Sequence, residues 1–317
     1  MPKKKVRGIG LAFADGAALA TVWLLVQCMR YLPRSVADAV ATGIVRLVIV
    51  FMPRLRAAAL RNLERAFPDS SVAERVAIYR KSVRVLAENI ADFARIPDLS
   101  REAAAELVDY QEFQAVLRGV REAHPGVGVL LPTMHFGSFE LNGQLYAILE
   151  RPLAVLARGF GLPRLDRFWN GRREYNGNRI FSRNGAYREI IQNLSAGSDV
   201  TLLCDQNVKR KHAVFVDFFG YPASATKTVA LAALRTGAPI VLIAAYRTDP
   251  QRLKLLYRRI DVPAEYASQE GVVQDITARL HAAIEDFVRE APHAWFWIHR
   301  RWKTRPAGEP ETWYDGM

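Results

Sequence analysis

The sequence predicts an α/β fold: a mixed, mostly parallel sheet flanked by helices, with membrane-associated helices at the N-terminus. The sheet is indicated by short, continuous apolar runs after Pro125, which are typical of strands buried on both faces. Helix-like segments separate these runs, and such alternation indicates a sheet covered by helices. The predicted strands are VGVLLPT (127–133), LAVLA (153–157), DVTLLC (199–204) and APIVLIAAY (238–246).

The N-terminal fifth of the chain combines positive charge with apolar stretches. Residues 1–65 hold eleven lysines and arginines and three acidic residues, so they carry +8 of the net charge of +12. Such an excess indicates a polyanionic partner, either nucleic acid or an anionic membrane surface. Residues 16–29 carry no charge, residues 36–52 are apolar apart from Asp38 and Arg46, and no nucleic-acid reader motif is present. We therefore expect an anionic membrane as the partner and no nucleic acid.

The length of the apolar stretches bears on how these helices meet the membrane. A span needs about 20 apolar residues, and the first stretch reaches that length only by including Asp15. We favour helices that lie in or dip into the interface, with a full span and a buried helical hairpin as alternatives. The domain prediction is a membrane-associated helical segment at 1–53, called here the N-terminal segment, followed by one domain at 54–317.

The remaining elements follow from periodicity and capping signals. Apolar residues at three- and four-residue spacing predict helix over 54–97, interrupted at Pro68, with Ser70 or Ser71 as an N-cap. The alternating run 252–260 predicts an edge strand. Further helices are predicted at 102–123, 138–150, 164–175, 186–195, 224–236 and 269–291.

The stretch TMHFGSFE (133–140) directly follows a predicted strand. In open α/β sheets, ligands bind beyond the carboxyl ends of strands, and Asp205 and Gln206 follow another strand in the same way. A neutral imidazole such as His135 can take a proton from a hydroxyl that attacks a carbonyl. A carboxylate can fix its tautomer, and Glu140 can reach it if Gly137 and Ser138 turn the chain from loop to helix. On spacing alone, a histidine that caps a loop is the alternative.

Other sites are disfavoured. No G-x-S-x-G motif supplies a nucleophile elbow, which favours direct transfer without a covalent acyl-enzyme. The six histidines show no metal-binding spacing. Cys28 and Cys204 stand far apart, so neither a disulfide framework nor a cysteine metal site is expected.

Four blocks together resemble the bacterial lipid A late acyltransferases, the lauroyl/myristoyl transferase family, over roughly residues 40–310. The resemblance implies a glycerolipid acyltransferase-like core, no cofactor, and an inner-membrane enzyme whose catalytic face meets the cytoplasm. It implies transfer of a fatty acyl chain from acyl carrier protein, or from coenzyme A, to a hydroxyl of an acylated glycolipid. Another glycolipid or lysolipid acceptor, such as a phosphatidylinositol mannoside or an aminolipid, is the alternative. The blocks are RNLERAFPDSS (61–71), MHFGSFE (134–140), 202–241 and WFWIHRRWKTRP (295–306).

The resemblance also assigns site residues. It places an H-x4-D/E motif on His135 and Glu140, as general base and orienting carboxylate. It places a substrate-binding arginine best on Arg172, with Arg173 as the neighbouring choice; a solvated helix face is the alternative for Arg172.

Three more residues are implied as substrate contacts. Arg183 could bind phosphate or cap a helix, and the pair Asp205–Gln206 matches the family although Cys204 replaces its usual proline. The tryptophans and cationic residues of 295–306 are expected to form a rim at the membrane interface.

Overall fold

A computed structural model describes residues 2–182, 185–310 and 312–315 of the chain. Within these residues, the N-terminal part is helical, and eight strands and further helices follow from residue 130 onward. The helices are α1 (Pro2–Tyr31), α2 (Arg34–Phe51), α3 (Pro53–Ala66), α4 (Val72–Arg95), α5 (Arg101–Leu107), α6 (Gln111–Ala123), α7 (Phe139–Leu149), α8 (Pro163–Arg173), α9 (Ala186–Ser195), α10 (Thr228–Thr236) and α11 (Gln269–Glu290). The strands are β1 (Leu130–Thr133), β2 (Ala154–Leu156), β3 (Arg179–Phe181), β4 (Val200–Leu203), β5 (Ala213–Phe218), β6 (Tyr221–Thr226), β7 (Ile240–Asp249) and β8 (Arg252–Ile260).

The main sheet has six strands in the order β3-β2-β4-β1-β7-β8. The first five are parallel to their neighbours, and β8 pairs antiparallel with β7 at the edge. This confirms the predicted mixed, mostly parallel sheet and the edge strand at 252–260. In the register of β1 against β4, Thr133 pairs with Leu203. The residues two positions beyond each strand, His135 and Asp205, therefore leave the sheet side by side.

Local signals placed several elements correctly, but they did not predict the hairpin β5–β6 or the edge strand β3. Ser71 caps α4 in a capping box with Glu74. The predicted helix at 224–236 starts too early, because Tyr221–Thr226 forms β6, which pairs with β5, and α10 begins only at Thr228. The small residues of this strand carry little β-propensity, and the backbone ladder to β5 decides their conformation.

The N-terminal helices pack onto α4. Four residues of α2 are buried at four-residue spacing, and they join a hydrophobic cluster that contains residues of the sheet, namely Ala37, Ala41, Val45 and Ile49. Among the described residues, the stretch Ala12–Tyr31 of α1 is long and apolar enough to cross a membrane. The pair α2 and α3 passes the same test together, with a bend of 96°. The division of the chain at residue 53 stays a prediction.

Asp15, the acidic residue in this apolar helix, has a structural partner. It is 4% exposed and accepts hydrogen bonds from the backbone N–H groups of Arg164 (2.9 Å) and Leu165 (3.2 Å) in the first turn of α8. Helix N-termini leave N–H groups without intrahelical acceptors. Asp15 therefore caps α8 from a different helix and fixes α1 against it.

The tryptophans of the block 295–306 lie in the core, while Lys303 is exposed, so the expectation that these tryptophans form a rim at the membrane interface was wrong. Trp297, Arg301 and Trp302 are at most 1% exposed. Phe296 N–H donates to the carbonyl of His135 (3.0 Å), which draws the block against the loop after β1. The guanidinium of Arg301 donates to the carbonyl of Ser224 (2.6 Å) and lies over the ring of Phe218. Aromatic packing buries these residues, and Arg301 keeps one hydrogen bond to a backbone carbonyl, while its Nε and Nη2 have no partner among the described residues.

Candidate active site

His135 and Asp205 form a hydrogen-bonded pair beyond β1 and β4. The ring Nδ1 of His135 lies 2.8 Å from Oδ1 of Asp205, and the backbone N–H of His135 donates to Oδ2 (3.0 Å). The indole N–H of Trp295 also donates to Oδ2 (2.9 Å). With three donors from two segments, the carboxylate has a single orientation.

The charge on Asp205 determines the tautomer of His135. Burial by itself raises the pKa of Asp205, but the charge of His135 and the hydrogen bonds from His135 and Trp295 outweigh it, so the pKa falls to about 2. An ionised carboxylate accepts hydrogen bonds only. The neutral ring of His135 therefore carries its proton on Nδ1 and presents the basic lone pair at Nε2, a tautomer assigned from its partner.

Gln206 lies at the basic nitrogen. Its amide Nε2 is 3.3 Å from Nε2 of His135. The chain beyond it is fixed because the backbone N–H of Asn207 donates to Nε2 of His299 (3.0 Å). Burial is the main cause that lowers the pKa of His299, to about 4, so it stays a neutral acceptor. Sequence reasoning assigned His299 only to a basic segment, and no local pattern marks this contact.

Glu140 is not the hydrogen-bond partner of His135, which corrects the expected His–Glu pair. Its carboxylate accepts from Arg173, with Nε at 3.0 Å and Nη2 at 2.5 Å. Glu140 lies in the first turn of α7 and meets the last turn of α8. One turn further along α7, the amide of Gln144 donates to the carbonyl of Arg173 (2.7 Å). Contact between the two helices therefore directs Glu140 towards Arg173, while the strand register has already brought Asp205 to Nδ1.

Arg172 is not in the site, which corrects the preference for it over Arg173. It is 7% exposed, and its guanidinium donates to the carbonyl of Ala94 (2.9 Å) and lies over the ring of Phe168. Successive residues of a helix point about 100° apart, so Arg172 faces α4 while Arg173 faces α7. Arg183 lies outside the described residues.

The side chains around His135 form a site for a general base. Nε2 of His135 is a proton acceptor, and the rings of Phe139 and Phe296 lie 5.2 Å and 5.6 Å from the imidazole. Within residues 2–182, 185–310 and 312–315, no group of three His, Cys, Asp or Glu side chains could hold a metal ion. This chemistry fits proton transfer from a hydroxyl beside an apolar wall.

Comparison with known proteins agrees with this chemistry. A family model described as bacterial lipid A biosynthesis acyltransferase matches residues 15–304. The chain belongs to this family. It is therefore an acyltransferase, as the sequence motifs predicted.

Three relatives from Escherichia coli strain K12 cover most of this acyltransferase. A lipid A biosynthesis myristoyltransferase is 28% identical over 80% of the chain and 77% of the relative. A lipid A biosynthesis palmitoleoyltransferase is 26% identical over 92% of the chain and 91% of the relative. A lipid A biosynthesis lauroyltransferase is 25% identical over 92% of the chain and 92% of the relative. Because their names differ in the acyl chain, the similarity indicates acyl transfer rather than a chain length.

Proposed function

We propose that this acyltransferase moves a fatty acyl chain from a thioester, on acyl carrier protein or coenzyme A, to a hydroxyl of an acylated glycolipid, namely a lipid A precursor. The acceptor is proposed because the relatives are named for lipid A biosynthesis. The single observation that carries the mechanism is the pair His135–Asp205, which leaves Nε2 of the imidazole as a base beyond the carboxyl end of β1.

In the proposed reaction, Nε2 of His135 takes the proton of the acceptor hydroxyl as its oxygen attacks the thioester carbonyl. The C–O bond forms and an oxyanion develops on the carbonyl oxygen. Asp205 keeps its charge and stabilises the imidazolium. The intermediate then collapses, the C–S bond breaks, and the leaving thiolate takes the proton from His135. No covalent acyl-enzyme is formed, and no cofactor is needed.

We assign substrate binding to the pair Glu140–Arg173. The side chain of Arg173 is 18% exposed, and its Nη1 takes no part in the pair with Glu140. A guanidinium suits phosphate because its donors form a planar fork. We therefore propose that Arg173, rather than Arg172, contacts an anionic group of the donor or acceptor and that Glu140 holds it in place.

We further propose that the N-terminal segment attaches the enzyme to the cytoplasmic face of the bacterial inner membrane. Large apolar side chains on α1 and α2 face outward: Phe13 is 80% and Phe51 78% exposed. Many exposed large apolar side chains on two neighbouring helices indicate a membrane or protein contact. The others are Trp23, Leu24, Tyr31, Val36, Val40, Leu47, Val48 and Val50.

The test is acyl transfer by the purified protein in mixed micelles, with tetra-acylated lipid A precursor as acceptor and product masses as readout. We expect His135→Ala to lose several orders of magnitude in turnover, as removal of a catalytic base does, with binding of the glycolipid retained. The control is His124→Ala, because His124 lies just after α6 and before the amino end of β1. Near-normal transfer by His135→Ala would refute the mechanism.

Separate arms test the substrates. Acyl carrier protein and coenzyme A carrying the same acyl chain are compared as donors. Lipid A precursor is compared with a lysophospholipid and a phosphatidylinositol mannoside as acceptors. Transfer to one of the latter two, with none to the precursor, would replace the proposed acceptor and leave the proposed base intact.

A further inference from the structure

The Gly137–Ser138 turn, called here the motif turn, separates His135 from Glu140. Its backbone is tightly enclosed, because a Cβ on Gly137 would lie 2.1 Å from the carbonyl oxygen of Ala245, and Gly137 has φ +50°. Ser138 N–H donates to that same carbonyl (3.1 Å). The side-chain amide of Asn89, on α4, donates to the carbonyl of Gly137. The turn is therefore held between β7 and α4.

The side chain of Ser138 is used in an unusual way. Ser138 is the N-cap residue of α7, but its side chain makes no capping hydrogen bond, although serine is a favoured N-cap. Its hydroxyl instead donates to Oδ2 of Asp92 on α4 (3.1 Å). The hydroxyl is thus committed to a tertiary contact that fixes the start of α7, where Glu140 lies.

Asp92 joins the turn to two other elements. It is 3% exposed, and its Oδ1 accepts from Arg247 on β7 (2.7 Å) and from Arg34 at the start of α2. Buried carboxylates are stable only when they are paired and hydrogen-bonded. Asp92 therefore needs both arginines, and the position of its Oδ2 at Ser138 depends on them.

Arg34 belongs to the N-terminal segment. It also pairs with Asp38 one turn along α2 (2.8 Å), and the carbonyl of Leu32 in the preceding turn accepts from Arg95 of α4 (2.5 Å). The junction between α1 and α2 is thus fixed to α4 at the level of Asp92. A continuous chain of contacts runs from α2 through Arg34 and Asp92 to Ser138.

We propose that Asp92 is a positioning residue for acyl transfer, and that through Arg34 it makes the geometry of the motif turn depend on the docked N-terminal segment. This rests on the proposed function of His135 and Glu140. The N-terminal helices then do more than hold the enzyme at a membrane: their docking sets where α7 begins. None of these residues touches substrate, so they act through the turn.

The test uses Ser138→Ala, which removes only the hydroxyl, with Ser82→Ala as its control. Ser82 is also buried, and its hydroxyl donates to a backbone carbonyl within α4 (2.8 Å). We expect Ser138→Ala to lower kcat about tenfold with KM nearly unchanged, the size expected for one lost hydrogen bond to a charged group. Ser82→Ala should keep its kcat. Equal kcat for Ser138→Ala and wild type would overturn the positioning role.

The link to the N-terminal segment is tested with Arg34→Gln against Arg30→Gln. Arg30 also joins this segment to the rest of the protein, through Asp98 (2.6 Å), but has no contact with the motif turn. Arg34→Gln should lower kcat several-fold, whereas Arg30→Gln should leave kcat unchanged. Binding to vesicles is measured for both variants. If the two arginine variants behave alike, the link is refuted.

A double variant tests the role of Asp92 without replacing this buried carboxylate. If Arg34 acts through Asp92 on Ser138, the fold decrease in kcat of the double variant Arg34→Gln/Ser138→Ala is smaller than the product of the decreases in the two single variants. If the decreases in kcat simply multiply, the two residues act independently and the proposed chain of contacts is overturned. A wild-type enzyme inactive on every donor and acceptor would instead refute the proposed function, so the two failures are distinguishable.

Discussion

Two hydrogen-bonded pairs stand on either side of the motif turn, and they are built differently. His135–Asp205 joins the ends of two neighbouring strands, and its carboxylate side chain is 2% exposed. Glu140–Arg173 joins the ends of two helices, and both side chains remain 13–18% exposed. The first pair is fixed by the backbone register of β1 and β4, whereas the second depends on how α7 packs against α8. The side chains of His135 and Arg173 are equally exposed, at 18%, so the difference lies in the carboxylates. We infer that the pair with the buried carboxylate performs the proton transfer and that the other pair meets the substrate.

The largest expected effect comes from Asp205→Asn, which keeps the shape of the side chain but removes its charge. Asparagine can donate to Nδ1 and so stabilise the wrong tautomer of His135, which costs about 10⁴-fold in serine protease triads. We expect kcat to fall by about 10³-fold or more, measured as acyl transfer at saturating substrate. Glu140→Gln is the matched comparison and should mainly raise KM. A larger fall in kcat for Glu140→Gln than for Asp205→Asn would reverse the two assignments.

The next effect distinguishes Arg173 from Arg172. Arg173→Ala should lower kcat/KM by about 10²-fold, because a charge-assisted contact to an anion contributes about 1.5–3 kcal/mol. Arg172→Ala should instead lower the free energy of unfolding by about 1–3 kcal/mol through the carbonyls it leaves unpaired, with KM unchanged. Steady-state kinetics and thermal unfolding of both variants measure this. A raised KM for Arg172→Ala with normal stability would return it to the site.

A third prediction concerns pH and His299. The pKa of His299 is about 4 in the folded protein, against about 6.5 when unfolded. Between these values the unfolded chain binds a proton that the folded protein does not, so stability is complete above pH 6.5 and falls as the pH drops towards 4. The free energy of unfolding falls by at most about 3 kcal/mol over this range. His299→Gln should reduce the slope of unfolding temperature against pH in this window; an unchanged slope would contradict it.

The smallest effect is expected at Gln206. Its amide occupies the position at Nε2 of His135 that the acceptor hydroxyl must take during the reaction, so its hydrogen bond belongs to the resting enzyme. Gln206→Leu should change kcat by less than about tenfold, in line with one neutral hydrogen bond. Kinetics with varied acceptor concentration measure it. A loss as large as that of Asp205→Asn would mean that Gln206 acts directly in the reaction.

The sequence predicted those site residues that directly follow a strand. His135, Asp205 and Gln206 were expected at one edge because continuous apolar runs precede them, and the structure brings all three together. The partner of His135 was not predictable, since Glu140 stands five residues away and Asp205 seventy. Sequence proximity favoured the wrong carboxylate.

The sequence alone determined the α/β class, the strands that carry the site, the family, and the basic, apolar character of the N-terminal segment. These depend on composition, motifs and periodicity, which are local properties of the chain. Only the tertiary structure decided that Asp205 holds His135, that Arg173 rather than Arg172 faces Glu140, and that the tryptophans of 295–306 are buried. Such choices depend on strand register and helix packing, which bring together residues far apart in sequence and are settled by the packing of the whole core.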